Sequence, residues 1–542
     1  MAVGSGTWSP AEEAGRGPTV ATGGMVTSSS PAVSRLGADV LARGGNAVDA
    51  ALAMTAMAWL TLPGQCGIGG DAFAVVREPD GRVWTVNGSG YGPDGASAEA
   101  YLDEGLTALP LGGARSVAVP GAMGALATLH ATGATRSLAE LWAPVVAAAR
   151  AGVPCSVKNR ADVTEHAGSI VRDEGLSRWL MPGGRVPAVG DLLPAPELAD
   201  CIEMLAGDPL ALYRGELAER AVALLRAGGA PFSGDEWADA AAVPVLDPIV
   251  APYGDLLVHQ TPPPTPGWMV LQQAGLLDGD LAGPPTLGAE AVHRMALAAR
   301  RAFRDRYERC GSDTDQWRTL LDPAHLARTR AELSREPAVA GMGVGMAGDT
   351  TSCVAVDADG RAVSAISSLA FTYGARISIP GTQIALNNRL GRGAYLVAGH
   401  PNALAPRRKP LHTLNAWLVT DRAGGLRHVG NTPGGDGQVQ WNMQLISHLV
   451  DGGLDPQAAV GAPRFTVHPG SDADAVGSPE TLQVESRLGA DTIAGLTDRG
   501  HVVQDMGGWG AGGSGLVVSV DDRRGVLLGG ADPRQDGVAL GV

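Results

Sequence analysis

The sequence predicts an α+β fold in which helices and antiparallel strands form separate layers. Helical periodicity dominates between about residues 115 and 340, with amphipathic runs at 137–151, 196–206, 216–227 and 290–307. From Thr350 onward the pattern changes to short strands separated by Gly- and Pro-rich turns. Because strands and helices occur in blocks and not as alternating βαβ units, a layered sandwich is favoured over a doubly wound parallel sheet.

Composition narrows the class of protein. The chain has 542 residues with 45% hydrophobic and 18% charged side chains, which is typical of a globular protein. Its formal net charge of −15 argues against nucleic acid or an anionic membrane as a partner. We expect no signal peptide, because no basic region followed by an apolar one opens the chain, and no membrane helix, because Ala47–Leu62 is too short.

The cysteines and histidines predict neither a disulfide framework nor a metal. Five cysteines are scattered along the chain with no disulfide or metal-ligand spacing, so a reducing cytoplasm fits best. The eleven histidines form no HxxxH or HxH pair, so no structural metal is expected. Gly343–Gly348 matches the GxGxxG pattern, but it neither follows a clear strand nor opens a helix. No cofactor is therefore predicted.

The N-terminal region predicts a disordered lead-in over residues 1–18, followed by strands and helices. Ser30 suits an N-cap and Pro31 suits the first position of a helix that ends at Gly44–Gly45. The other elements expected here are a strand and turn at Thr19–Ser30, a buried helix at Ala47–Trp59, a glycine-rich turn at Pro63–Gly70 and a strand at Ala72–Arg77.

Thr350 begins a strand-like run and follows the glycine-rich stretch Gly341–Asp349. If the Asp349–Thr350 bond were cut, Thr350 would carry both a nucleophilic hydroxyl and an α-amine that can act as its base. The Asp359-Gly360 pair predicts a hairpin turn, so residues whose numbers sum to about 718 lie opposite each other and Thr350 faces Ser367-Ser368. A cross-strand hydrogen bond that only stabilises the sheet is the alternative interpretation.

Two further segments are candidates for a site. In Asn431–Asp436, the paired glycines Gly434 and Gly435 could direct two N–H groups at an oxyanion, or could simply form a tight turn. In Pro410–Asn415, polar side chains interrupt an apolar run. They either line a pocket or are hydrogen-bonded groups in the core.

Taken together, these residues resemble the gamma-glutamyltransferase family of N-terminal nucleophile hydrolases. The resemblance extends over almost the whole chain and rests on nine motifs in order: Gly44–Ala50, Gly67–Gly70, Val119–Gly121, Gly348–Thr351, Leu386–Arg389, Pro410–Thr413, Thr432–Gly437, Ala462–Phe465 and Asp532–Arg534. It implies an αββα sandwich that cleaves itself into a large subunit, about 19–349, and a small one, 350–542. The two fragments would stay together as a heterodimer, with an (αβ)2 assembly as a further option.

The resemblance also implies catalytic and binding roles for individual residues. Thr350 would attack the Asp349 carbonyl during maturation and the substrate acyl carbon during turnover. Ser368 matches a hydroxyl that is hydrogen-bonded to the nucleophile, and Gly434 and Gly435 match the oxyanion glycines. His412 and Thr413 stand where the family has two serines that hold the substrate α-carboxylate. Asn415 and Asp436 are further candidates for substrate binding.

Several positions depart from the family pattern. Ser89 stands in place of the arginine that clamps the γ-glutamyl α-carboxylate, and Ala370 in place of an asparagine. Arg389 and, nearby, Arg392 occupy the places of the amide and carboxylate that hold the α-amine, where a cation would repel an ammonium. The pattern is closer to the acylase-like branch, which includes cephalosporin acylases. Arg389 or Arg392 would then bind an anionic acyl group, or form a salt bridge at the surface or in a lid.

The predicted function is thus a self-processing threonine hydrolase or acyltransferase that acts on a small-molecule amide. One alternative, implied by relatives in antibiotic pathways that make alkylproline units, is cleavage of a carbon–carbon bond beside a carbonyl. Another alternative is an uncleaved binding protein. Loss of Thr350 or of the Gly434-Gly435 pair would indicate such a protein, but the chain has both.

Overall fold

The computed structural model describes residues 16–281, 286–333, 349–470 and 478–542. Most of the predicted lead-in and the stretch Gly341–Gly348, including the GxGxxG match, lie outside these ranges. Among the described residues, no helix is both long and apolar enough to cross a membrane. All five cysteine side chains are buried free thiols.

The strands form two large antiparallel sheets and two small ones. Within the described ranges the strands are β1 (Thr19–Ala21), β2 (Gly24–Ser28), β3 (Asp71–Arg77), β4 (Val83–Gly88), β5 (Val153–Pro154), β6 (Leu192–Leu193), β7 (Val245–Leu246), β8 (Ile249–Tyr253), β9 (Leu256–Gln260), β10 (Asp349–Asp357), β11 (Ala362–Ala370), β12 (Trp417–Asp421), β13 (Leu426–Asn431), β14 (Phe465–His468), β15 (Thr481–Val484), β16 (Val503–Asp505), β17 (Leu516–Asp521), β18 (Val526–Ala531) and β19 (Val538–Gly541).

Helices occur in the same ranges, mostly in the first two thirds of the chain. They are α1 (Pro31–Ala42), α2 (Ala47–Thr61), α3 (Ala98–Asp103), α4 (Ala122–Gly133), α5 (Leu138–Ala151), α6 (Val157–Ile170), α7 (Glu174–Leu180), α8 (Pro196–Gly207), α9 (Gly215–Ala227), α10 (Asp235–Asp239), α11 (Gly267–Leu277), α12 (Ala289–Arg309), α13 (Gln316–Leu320), α14 (Pro323–Leu333), α15 (Arg389–Gly393), α16 (Gly437–Val450), α17 (Pro456–Gly461) and α18 (Ala490–Asp498).

The predicted sandwich is confirmed, with four layers in the order αββα. Sheet I has the strand order β19-β2-β10-β11-β3-β4-β7, and sheet II has the order β1-β18-β17-β13-β12-β9-β8. Apolar side chains such as Phe73, Val354, Ile366, Leu418 and Val429 form a core between the two sheets. A second core joins the outer face of sheet I to α1, α2, α4 and α5, and a third joins sheet II to α11, α12 and α16.

The first helices agree closely with the sequence. Pro31 begins α1 and Ser30 occupies the N-cap position, but the Ser30 side chain makes no capping hydrogen bond. The glycine that ends this helix, Gly44, has a φ of 80°, a left-handed conformation that favours glycine. Helix α2 is buried on all sides, as expected from its apolar composition, and continues to Thr61, two residues beyond the predicted end.

The hairpin that starts at Asp349 has the predicted register. Thr351 pairs with Ser367 and Val354 with Ser364, as the turn at Asp359-Gly360 requires. A bulge between Asp349 and Thr351 interrupts the ladder at its open end. Successive side chains of a strand point to opposite faces, so the hairpin gives one row of side chains to the space between the sheets and the other to the helices.

Candidate active site

Thr350, Ser368 and Asp71 lie on three neighbouring strands of sheet I, at the same end of the sheet. Ser368 of β11 is paired with Asp71 of β3, and Thr350 is beside Ser368 on β10. Ser364, four residues before Ser368 on the same face, donates a hydrogen bond to the Gly430 carbonyl of sheet II. The row therefore faces the space between the two sheets.

The Thr350 hydroxyl has a defined hydrogen-bond geometry. Its Oγ1 donates to Ser368 Oγ at 3.1 Å, and the Ala370 N–H donates to the same Ser368 oxygen at 2.8 Å. Both hydroxyl side chains are buried. The structure thus brings together the two hydroxyls that the hairpin arithmetic paired, in a place from which bulk water is excluded.

Cys353 lies on the opposite face from Thr350, as the strand alternation predicts. Its Sγ is 3.9 Å from Thr55 Oγ1 in α2, within the core between sheet I and its helices. Burial raises the pKa of this thiol to about 12, so it stays protonated. Cys353 is a core residue and takes no part in the site.

The glycine pair follows β13 and approaches the same region from sheet II. Asn431, at the end of β13, donates a hydrogen bond to Ser364 Oγ at 3.2 Å, which ties this strand end to β11. Gly434 and Gly435 have φ angles of 131° and 58°, which favour glycine. In the part of the chain that the structure describes, neither N–H donates to a protein acceptor. Helix α16 begins directly after them, and its N-terminus adds positive potential to the loop.

A buried ionic cluster adjoins the hydroxyl pair. Arg389 Nε donates to Asp71 Oδ2 at 3.1 Å, and both side chains are fully buried. Burial raises the pKa of Asp71 to about 6, against the opposing effect of the Arg389 guanidinium. Asp71 lies at the centre of the site, and the sequence analysis did not single it out.

His412 packs against this cluster as a neutral ring. Its Nε2 is 4.0 Å from Asp71 Oδ2, and its ring meets Phe73 edge-on with centroids 4.8 Å apart. Burial, together with the charges of Arg389 and Lys409, holds the pKa of His412 well below its usual range. Neither ring nitrogen has a hydrogen-bond partner among the described residues, an arrangement that costs free energy unless a ligand or water completes it.

Lys409 is a second residue that the sequence analysis missed. It is one of two lysines among 41 basic residues. Its ammonium lies 4.6 Å from the ring centroid of Tyr91, and no carboxylate of the described residues lies within 4.0 Å of it. Burial lowers the pKa of Lys409, while the Asp71 carboxylate acts in the opposite direction. A signal was present in the sequence, because lysine is rare in this arginine-rich chain.

Arg392, Ser89 and Thr413, three further predicted residues, are also buried. Arg392 donates to the Ala370 carbonyl at 2.9 Å and lies 4.4 Å from the Phe371 ring centroid. Ser89 donates to Asn87 Oδ1 at 2.8 Å.

Asn415 and Asp436 complete the set. Asn415 accepts a hydrogen bond from Asn442 at 2.9 Å, and its own amide nitrogen has no partner within the described chain. Arg306 donates both to Asp436, at 3.0 Å, and to the His412 carbonyl, at 2.9 Å. Asp436 therefore links the glycine loop to the His412 segment.

The site offers no set of side chains suited to a metal. Among the residues that the structure describes, no group of three or more His, Cys, Asp or Glu side chains is placed to hold a metal ion. What the arrangement offers instead is a buried hydroxyl pair, two N–H groups on a glycine loop and an adjoining cluster of charges.

An αββα sandwich of two antiparallel sheets is the fold of the N-terminal nucleophile hydrolases, and here a threonine–serine pair lies at one end of the sandwich. The crystal structure of cephalosporin acylase from Bacillus halodurans superposes with a TM-score of 0.88 at 29% identity, covering 97% of each chain. The profile of the Gamma-glutamyltranspeptidase family matches residues 33–542. The chain belongs to the gamma-glutamyltranspeptidase family and is a hydrolase of this type.

Two curated relatives are similar along nearly their whole length. The Glutathione hydrolase-like YwrD proenzyme of Bacillus subtilis is 30% identical over 539 residues, covering 96% of this chain and 99% of the relative. The Oxamate amidohydrolase proenzyme of Klebsiella pneumoniae is 30% identical over 538 residues, with the same coverage. These relatives and the solved acylase confirm the family and the acylase-like resemblance.

Proposed function

We propose that this protein is a self-processing hydrolase in which Thr350 is the nucleophile, and that it releases an anionic acyl group from a small-molecule amide. The observation that carries the first part is the buried hydrogen bond from Thr350 to Ser368, at the second residue of β10 and directly after a glycine-rich stretch of sequence. The names of the relatives, which are proenzymes, support the same conclusion.

Maturation cuts the Asp349–Thr350 bond. The Thr350 hydroxyl adds to the Asp349 carbonyl carbon, its proton passes to the departing Thr350 nitrogen, and an ester replaces the amide. Water then hydrolyses the ester, which leaves a carboxylate on Asp349 and frees both the hydroxyl and the α-amine of Thr350. The amine becomes the base for the hydroxyl during turnover.

In turnover, three groups assist the nucleophile. The hydrogen bond between the Ser368 and Thr350 hydroxyls orients the Thr350 oxygen. The N–H groups of Gly434 and Gly435 stabilise the oxyanion that forms on the substrate carbonyl, a contribution of about 3–4 kcal/mol for one donor in comparable sites. The acyl-enzyme that results is hydrolysed by water or transferred to an amine.

The two fragments, 19–349 and 350–542, form a heterodimer because their strands alternate in sheet I. Strand β2 of the large fragment lies between β19 and β10 of the small one, and β3 pairs with β11. Cleavage would therefore leave each fragment hydrogen-bonded to the other along several strands.

The charges beside the hydroxyl pair support an anionic acyl group. Arg389 is an ion-pair partner of Asp71, so these two charges largely cancel. His412 is neutral, and Lys409 adds a positive charge that no carboxylate of the described residues offsets within 4.0 Å. A substrate carboxylate would supply the negative charge that balances Lys409. It could also accept a hydrogen bond from His412. The name of one relative, an oxamate amidohydrolase, fits an acyl group with a second carboxylate.

The first experiment is an intact mass spectrum under denaturing conditions. Two species that meet at Asp349–Thr350 in the wild type, and one species in Thr350→Ala, are expected. A single chain in fresh and aged wild-type protein alike would contradict the proposal and would favour an uncleaved binding protein.

The second experiment tests the acyl group with two matched p-nitroanilides, one ending in a carboxylate and one in the neutral primary amide. We expect the wild type to prefer the carboxylate, and Lys409→Met to lose about 10- to 100-fold in kcat/KM for it, because a hydrogen bond to a charged group contributes about 1.5–3 kcal/mol. Lys158→Met removes the other lysine and is the control. Unchanged kcat/KM in Arg389→Ala would exclude a role for Arg389 in binding the acyl group.

Product analysis separates amide hydrolysis from cleavage of a carbon–carbon bond by the same nucleophile. Amide hydrolysis releases an amine together with the acid. Release of a short keto or oxalate-like acid without an amine would instead support the carbon–carbon reaction.

A further inference from the structure

Two motifs of the sequence, Ala462–Phe465 and Asp532–Arg534, have no role in the chemistry described so far, yet their charged residues meet in the interior. Arg464 forms an ion pair with Asp532, and Arg534 pairs with Asp532 at 3.1 Å and with Glu485 at 2.6 Å. All four side chains are almost fully buried. Arg487 also pairs with Glu485, at 2.6 Å, so three guanidinium groups meet two carboxylates in this cluster.

This network holds a short glycine-rich loop, residues 511–515, at three points. The Ala511 N–H donates to Glu485 at 3.2 Å, the Gly512 carbonyl accepts from Arg464 at 2.7 Å, and the Gly515 N–H donates to Asp532 at 2.7 Å. The loop is therefore fixed at both ends and near its middle by buried charges.

Trp441 lies between this loop and the loop of Gly434 and Gly435. A Cβ atom built on Gly513 would lie 2.7 Å from the indole, so the 511–515 loop touches the ring directly. A Cβ on Gly434 would overlap Cζ3 of Trp441. The indole N–H donates to Thr466 at 2.9 Å, and the Arg464 guanidinium lies 5.5 Å from the ring centroid.

We propose that Trp441 and the Arg464–Asp532–Arg534–Glu485 network form a brace that holds the N–H groups of Gly434 and Gly435 in position. Trp441 and Arg464 are positioning residues in this arrangement, since neither contacts the hydroxyl pair. The inference rests on the proposed role of the two glycines in turnover. Buried ion pairs often add little net stability but do fix geometry, which suits this purpose.

The physical reason for a brace is that glycine loops are flexible. Gly434 and Gly435 carry no side chains that could anchor them, and oxyanion donors must stay within a few tenths of an ångström of their working position. The flat indole supplies a rigid surface behind the loop, and the charged network keeps that surface from moving away.

The test uses Trp441→Phe and Arg464→Lys, with Trp237→Phe as the matched control. Trp237 is also buried and its indole N–H is also hydrogen-bonded, to the Leu212 carbonyl, but it lies in the helical layer on sheet I. Hydrogen exchange of the peptide that spans residues 432–437 is measured by mass spectrometry in all three variants. Steady-state kinetics on the p-nitroanilide with a terminal carboxylate give kcat and KM.

We expect amide exchange in residues 432–437 to become at least about tenfold faster in both brace variants and to stay unchanged in Trp237→Phe. We expect kcat to fall about 10- to 100-fold with KM within twofold, because displaced oxyanion donors affect the transition state more than the ground state. Unchanged exchange in both variants would overturn the brace, and so would a raised KM at constant kcat.

The two proposals fail in different ways. A wild-type protein that neither cleaves itself nor turns over substrate would contradict the role of Thr350, while the exchange measurement would still decide whether the brace exists. Arg464→Lys keeps the charge and changes only the geometry, so a result remains available if Trp441→Phe does not fold.

Discussion

Gly434→Ala is the sharpest test of the glycine loop. The new Cβ would lie well under 3.0 Å from Cζ3 of Trp441, a distance that Cβ atoms essentially never show, and the φ of 131° is one that alanine rarely adopts. The loop must therefore shift by about 1 Å, and a misplacement of that size costs about 100-fold in rate. The unfavourable φ adds about 1–3 kcal/mol of destabilisation.

The assay is kcat for hydrolysis, together with urea denaturation of the same samples. Gly453→Ala is the control, because Gly453 also has a left-handed φ, 60°, but a Cβ there meets no atom within 4 Å. We expect the control to lose about 1–2 kcal/mol of stability and to keep its kcat. If Gly434→Ala kept kcat within twofold of the wild type, the assignment of this loop to the oxyanion would be wrong.

Three further predictions follow from buried polar groups. Ser368→Ala removes the acceptor of the Thr350 hydroxyl and of the Ala370 N–H. We expect self-cleavage, measured by mass spectrometry, to slow at least about tenfold and the free energy of unfolding to fall by about 1–3 kcal/mol. Cleavage at the wild-type rate would contradict this expectation. Asp49→Ala leaves three backbone N–H groups and one hydroxyl without their acceptor, so the free energy of unfolding is expected to fall by about 3 kcal/mol or more, and a loss below 1 kcal/mol would be unexpected. The pKa of Asp71 is raised to about 6 in the folded protein. Between about pH 4 and pH 6 the folded protein therefore keeps a proton that the unfolded chain releases. The contribution of Asp71 to the free energy of unfolding falls by up to about 3 kcal/mol as pH rises through that window. The difference in unfolding free energy between wild type and Asp71→Asn should show this slope, and a flat difference would contradict the shifted pKa.

The hairpin shows how far sequence alone could reach. A single strong turn at Asp359-Gly360 set the register of β10 and β11, and strand alternation then placed Thr350 beside Ser368 and Cys353 on the opposite face. These inferences are local, since they need only the spacing along two consecutive strands. The helices at 137–151 and 196–206 were likewise predicted to within about two residues from their periodicity.

Contacts between distant segments could not be predicted in the same way. Asp71 meets Arg389 across 318 positions of the chain, and Lys409 reaches Tyr91 across a similar distance. Neither spacing nor periodicity relates such residues, and only the packing of the two sheets brings them together. The resemblance identified the segment that contains Arg389. It did not identify Asp71 as the carboxylate that forms an ion pair with the Arg389 guanidinium.

The alternation of strands in sheet I has a further consequence for the protein's lifetime. Before cleavage, the chain folds as one molecule, and its equilibrium stability does not depend on its concentration. After a cut at Asp349–Thr350, unfolding would produce two molecules, and each would hold strands that need the other as neighbours. Renaturation would then be a second-order reaction that competes with aggregation of exposed strand edges. The survival of the mature enzyme on heating would then be governed by its rate of unfolding and not by an equilibrium.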